Sequence, residues 1–147
     1  MIPSFKPGIM SSNRIRAAAT VDNTPNAVDW TIPTSTTATT NTSIGQQITG
    51  IDSSITLQLN LSGTGVATVS YGTNSTNSTP STWTQIGSGA PFTGDTSTFS
   101  ISNNQWVFFQ FTRHVACQSV TVTIKNVSDS NTTLDTFSFL FGLKAGC

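Results

Sequence analysis

Few side chains in this sequence could do chemistry, and their spacing limits what kind. His114 is the single histidine, Cys117 and Cys147 are the only cysteines, six Asp are scattered along the chain, and there is no Glu. A Ser–His–Asp triad would have to use His114. No G-x-S-x-G elbow occurs; the nearest candidate, Ser88 between Gly87 and Gly89, lacks the strand-to-helix turn that exposes such a nucleophile. His114 follows Arg113 at the end of an aromatic run and reads as an ordinary strand-end residue. Glycoside hydrolysis needs two carboxylates facing each other across a cleft. Asp22, Asp52, Asp95 and Asp129 lie instead in turn-like contexts, where an Asp carboxylate bonds its own backbone. Asp29 and Asp135 sit beside strand residues, as outward-facing or edge groups. One histidine without an acid pair makes no metal site, two widely separated thiols make no zinc motif, and Gly-rich phosphate motifs are absent. The expectation is a protein that is not an enzyme, with no catalytic residue, no metal and no cofactor. The two cysteines read as free thiols, a disulfide formed after release into oxidising surroundings being the alternative.

The aromatic residues offer a second kind of chemistry. Trp30, Trp83 and Trp106 with Tyr71 have the composition of a sugar-stacking platform, although alternating aromatics equally fill a sandwich core. Trp30 and Trp106 fit the core. Trp83, after a long polar loop, is the candidate glycan contact. Six N-x-S/T sequons, at Asn41, Asn60, Asn74, Asn77, Asn126 and Asn131, arise readily in a chain with 20 Ser, 27 Thr and 11 Asn. Without a leading apolar run to act as a secretory signal, they do not predict glycosylation.

The elements that must position these residues follow from composition and period. Charged residues make up 8% of the chain, against about 25% in an average soluble protein, so hydroxyls and amides supply the polarity. Thr fits a pleated surface and Ser and Asn fit turns, which points to an all-β protein. The net charge is zero, so no overall field steers nucleic acid, and no segment is apolar enough to span a membrane. Neither nucleic acid nor membrane is expected as a partner. Yet Lys6, Arg14 and Arg16 lie in the first twenty residues, where no acid answers them.

Residues 1–26 carry no period of 2 or 3.6, are punctuated by Pro3, Pro7 and Pro25, and read as an extended arm ordered by a neighbouring molecule. Residues 27–147 read as one domain. Val28, Trp30 and Ile32 alternate on one face; residues 34–43 form a polar loop or solvated edge; residues 44–51 hold a short strand. Ile55, Leu57, Leu59 and Leu61 make the clearest half-buried strand and should form a hairpin with Ala67, Val69 and Tyr71. Residues 106–113 are apolar on both faces and predict a strand that is central or covered by a neighbouring subunit. Val120, Val122 and Ile124, a polar turn over residues 126–131, and Phe137, Phe139 and Phe141 complete eight or nine strands. Such spacing predicts an antiparallel two-sheet β-sandwich, jelly-roll-like or immunoglobulin-like.

The stretches GQQITGIDSSITL (residues 45–57) and VTIKNVSDSNTTLDTF (residues 122–137) resemble the small β-sandwich modules of tailed-phage virion proteins. The resemblance covers residues 27–143 in style rather than through an invariant motif, and it carries no catalytic residues. It implies a structural virion protein assembled in the host cytoplasm, with a role in capsid decoration, where homotrimers are frequent. On that reading Phe5, Lys6, Ile9, Arg14 and Arg16 contact the major capsid protein, another virion protein or an adjacent copy. A neck, tail, baseplate or fibre adaptor, or a carbohydrate-binding module for host adsorption, are the other roles it leaves open.

Overall fold

Leucine and isoleucine alternating with polar residues can bury only one face of a strand. In the computed structural model, which describes residues 21–33 and 38–142, Ile55, Leu57, Leu59 and Leu61 are the buried positions of one nine-residue strand. The described residues form ten strands: β1 (Thr40–Thr42), β2 (Gln46–Gln47), β3 (Ser54–Ser62), β4 (Val66–Asn74), β5 (Thr84–Ser88), β6 (Gly94–Asp95), β7 (Phe99–Ser102), β8 (Trp106–Arg113), β9 (Ser119–Asn126) and β10 (Thr132–Leu140). All pairings are antiparallel. One sheet runs β1–β8–β4–β5 with β2 also on β8; the other runs β10–β9–β3–β6 with β7 also on β3. The two sheets pack face to face as the expected β-sandwich.

The core forms where the inner faces meet. Phe111 of β8 packs against Phe137 and Phe139 of β10, with ring centroids 6.2 and 5.0 Å apart. At the other side Tyr71 of β4 stacks on Phe99 of β7 at 4.2 Å. These contacts place β8 over β10 and β4 over β7. The apolar alternation of β3, β8, β9 and β10 is buried as their sequences require. On β4 a register shift between Val66 and Thr68 lets Val66 as well as Val69 face the core.

The expected hairpin of β3 with β4 does not form, because the two strands belong to different sheets. Their apolar faces oppose each other through the core instead of lying side by side, which alternation alone cannot distinguish. The crossing uses Gly63 in a left-handed conformation (φ 109°), where an added Cβ would strike the Ser119 carbonyl. The polar turn between β9 and β10 does appear. It is a 3-10 turn, Val127–Asp129, closed by left-handed Ser130 and Asn131.

Residues 21–33 pair into no ladder, yet they are part of the domain. The alternation of Val28, Trp30 and Ile32 is realised: Val28 and Trp30 are buried and Ile32 packs against the core. The backbone here is held largely by side chains, which is why no strand results. Asp29 N–H donates to Gln46 Oε1 at 3.0 Å, and Trp30 N–H donates to Asp135 Oδ2 at 2.6 Å. Residues 21–26, grouped with the arm by sequence, are also fastened. Asn26 N–H donates to the Thr49 carbonyl, and the buried Asn126 amide donates to the Asn23 carbonyl at 2.7 Å. The segment thus closes the side of the sandwich between β2 and β10.

β8 is central, as one of the two sequence readings required, with β1 and β2 on one side and β4 on the other. Its outward-facing Phe108 is covered by the chain itself, since a Cβ built on Gly45 would lie 2.7 Å from Asn77 Oδ1 and closer still to Phe108 Cζ. Pro80 likewise covers Gly72, at 2.9 Å from the position of an added Cβ. Gly45→Ala is expected to destabilise the domain by about 1–3 kcal/mol, because the methyl must push aside a ring that is already packed. Urea unfolding of this variant, with an unchanged m-value, is the check; an unaffected midpoint would mean that the cover over Phe108 is loose.

Candidate functional site

The outer face of the β3–β9–β10 sheet is a surface that alternation leaves polar. β3 presents Thr56, Gln58 and Asn60, and β9 presents Thr121, Thr123 and Lys125. Hydroxyl and amide pairs tie it together: Thr121 and Ser138 hydroxyls meet at 2.9 Å, and Gln58 Nε2 donates to the Thr96 carbonyl at 2.8 Å. An ion pair, Lys125 with Asp95 at 3.0 Å, lies here too. Asn60 Nδ2 donates to the same Asp95 oxygen at 2.8 Å. The Asn60 amide, followed by the Lys125 ammonium, holds the Asp95 carboxyl below the ordinary carboxylate range.

A lysine, an asparagine and an acid on adjacent strands are the parts of an intramolecular amide cross-link. Nucleophilic attack by the amine on the asparagine carbonyl carbon would need an uncharged amine and a protonated acid, with loss of ammonia. Asp95 is exposed and held anionic, which opposes that proton arrangement. The trio is a surface hydrogen-bond network.

The flank formed by residues 21–33 and the start of β10 is acidic. Asp22 N–H donates to Asp52 Oδ2 at 2.8 Å, and the Asp22 carboxylate caps Thr24 N–H at 3.0 Å, in the turn-capping role expected. Asp135 is a half-buried edge residue whose two oxygens accept the N–H groups of Trp30 and Thr136. Burial raises its pKa, the two hydrogen bonds oppose that rise, and nearby Asp29 adds to it. The sign of the pH dependence follows. The fold disfavours the charged form, so wild-type stability relative to Asp135→Asn increases as pH falls through the folded-state pKa and levels off below the ordinary Asp range. Chemical denaturation of both proteins across that interval is the check; a difference of opposite sign would show that the two N–H donors outweigh burial.

The candidate residues do not gather at one place. Phe5, Lys6, Ile9, Arg14 and Arg16 lie outside the described residues. Trp83 is half-buried immediately before β5. Trp30 is sealed in the core, Tyr71 packs against it, and Trp106 is half-buried on the outer face of β8 rather than in the core, because Val107, Phe109 and Phe111 take the inward positions. The four aromatics therefore share no single face. His114 is exposed in the turn after β8, and Ser88 ends β5. Thr68 of β4 pairs with both Ser88 and Thr112, so at that level β5 and β8, on either side of β4, stand about 10 Å apart. Among the described residues no three His, Cys or Asp side chains form a group that could hold a metal ion. Two of the sequons, Asn41 and Asn126, are buried.

One expectation is corrected outright. Cys117 is disulfide-bonded, not a free thiol. The chain's other cysteine, Cys147, lies outside the described residues. Local sequence carried no sign of this, because spacing cannot tell which distant segments a fold brings together.

No family model matches this chain, and no curated protein or solved structure matches it either.

Proposed function

We propose that this chain is a structural protein of a tailed-phage particle, a capsid decoration protein. Its leading segment binds the major capsid protein or an adjacent copy, and its sandwich caps the shell, as a homotrimer. The observation that carries this reading is the hydroxyl- and amide-rich outer face of the β3–β9–β10 sheet, which bears one ion pair among its polar groups. Such a face can be buried against a neighbour with few ions to desolvate. The separate basic cluster at Lys6, Arg14 and Arg16 supplies a distinct attachment element. The disulfide at Cys117 agrees with a particle component that ends in oxidising surroundings after release from the host.

The test is incorporation. A chain lacking residues 1–20 is expected to fold but to be absent from particles, while the full chain is present in hundreds of copies. Six to a few dozen copies would place it instead at the neck, tail or baseplate, and wild-type incorporation of the truncated chain would remove the attachment role. The half-buried Trp83 keeps one other reading open, a carbohydrate-binding module. That reading requires glycan binding that is lost in Trp83→Ala.

A further inference from the structure

A β-sandwich has four sheet edges, and an unpaired edge is a template for another strand. Three edges of this domain are short or occupied. β1 and β2 are three- and two-residue strands flanked by residues 28–33, with Ile44 N–H donating to the Thr31 carbonyl. The Ile86 carbonyl of β5 accepts Ser97 N–H. β6 and β7 are two and four residues long.

The fourth edge differs. β10 is nine residues long and, among the described residues, pairs with β9 alone. Its first half lies beside residues 23–30, through Asn23 at Ser128 and Trp30 at Asp135. Beyond Trp30, which turns into the core, residues 136–140 continue with nothing laddered on their outer side among the described residues. Thr136 N–H donates to the Asp135 carboxylate and not to β9, so by alternation residues 136, 138 and 140 are the ones directed away from β9. Neither Lys nor Pro, the usual guards of an edge, occurs in this stretch.

The geometry points to residues 9–17 of a second copy as the strand that completes this edge. The inference rests on the assembly role proposed above and names the partner of that assembly. Three observations select the occupant. The stretch from residue 8 to residue 24 is free of proline, so each of its residues can donate to a ladder. Twenty residues precede Val21 and reach up to roughly 65–70 Å when extended, far more than the roughly 14 Å of open edge. Charge is complementary: Arg14 and Arg16 would share one face of the added strand, and the edge begins at Asp135 with Asp29 beside it, neither carboxylate ion-paired among the described residues. Ile15 then falls on the opposite face, the one that Thr136 and Ser138 occupy. Each copy gives one strand and receives one, a head-to-tail contact that closes into a ring.

The experiment is light scattering of the purified full chain over a concentration series, with three variants beside it. The full chain is expected to be a closed oligomer. The chain lacking residues 1–20, Ser138→Pro, and the double variant Arg14→Glu/Arg16→Glu are each expected to be monomers at concentrations where the parent is assembled. Proline at position 138 removes an outward N–H and leaves the β9 ladder intact, so its thermal unfolding should be cooperative. Hydrogen exchange supplies the readout that does not depend on that variant: the Ser138 and Leu140 amides should be slow in the full chain and fast once residues 1–20 are removed. A truncated chain of unchanged mass, a full chain that stays monomeric, or equal exchange at both amides would overturn the inference. These measurements need no virus. An oligomer that forms as described but never enters a particle would sink the decoration role and leave this contact standing.

Discussion

Trp30→Ala is expected to cost about 3–5 kcal/mol, a large share of the 5–15 kcal/mol that holds a typical domain folded. Trp30 is fully buried, with its ring tilted against Phe109 at a centroid distance of 5.1 Å. Its indole N–H donates to the Val107 carbonyl at 2.9 Å, so truncation leaves a cavity and removes the partner of a core carbonyl together. The melting temperature should fall by roughly 10–20 °C for a chain of this length. Trp30→Phe, which keeps most of the apolar surface and loses only the indole donor, should cost about 1–2 kcal/mol. The prediction has a corollary at the level of chain boundaries. Removing residues 1–20 should leave a chain that still unfolds cooperatively, whereas removing residues 1–33 should prevent folding, because the second deletion takes Trp30 with it. A loss below about 1 kcal/mol for Trp30→Ala would mean that residues 21–33 lie on the sandwich without being part of it.

That boundary shows what the sequence could and could not convey. The alternation of Val28, Trp30 and Ile32 correctly marked inward side chains, because a period of two depends only on an extended backbone. It could not tell whether that backbone joins a ladder, and here Asp135 and Gln46 side chains take the place of a neighbouring strand. The same limit explains the false hairpin. β3 and β4 each show one apolar face and are joined by Gly-rich residues, a description that fits adjacent strands and strands in opposite sheets equally well. Strands with strong alternation or two apolar faces, β3, β8, β9 and β10, were legible. β2 falls within the short strand expected over residues 44–51, whereas the two-residue strand β6 was not legible, since two residues carry no period. For the site, the outward edge role of Asp135 was readable from its place beside strand residues. The unguarded outer edge of β10 was not, because exposure of an edge is decided by which other segment lies beside it.

Reducing the disulfide at Cys117 should lower stability by about 2–4 kcal/mol, the usual contribution of a native cross-link, and by less if the native bond is strained. Its location makes an effect of that size reasonable. Cys117 sits with a left-handed backbone (φ 63°) in the turn between β8 and β9, and its N–H donates to the carbonyl of Phe141 just past β10. The cross-link therefore anchors the turn that leads into β9, whose backbone is bonded at Phe141 just past β10, next to the phenylalanines that fill the core beneath β8. The measurement is thermal unfolding with and without reductant, compared with Cys117→Ser, in which reductant should have no further effect. Equal melting temperatures for oxidised and reduced protein would show that the hydrogen bond at Phe141 and the phenylalanine packing hold that end unaided. A domain that depends on this bond reaches its full stability only where the surroundings are oxidising.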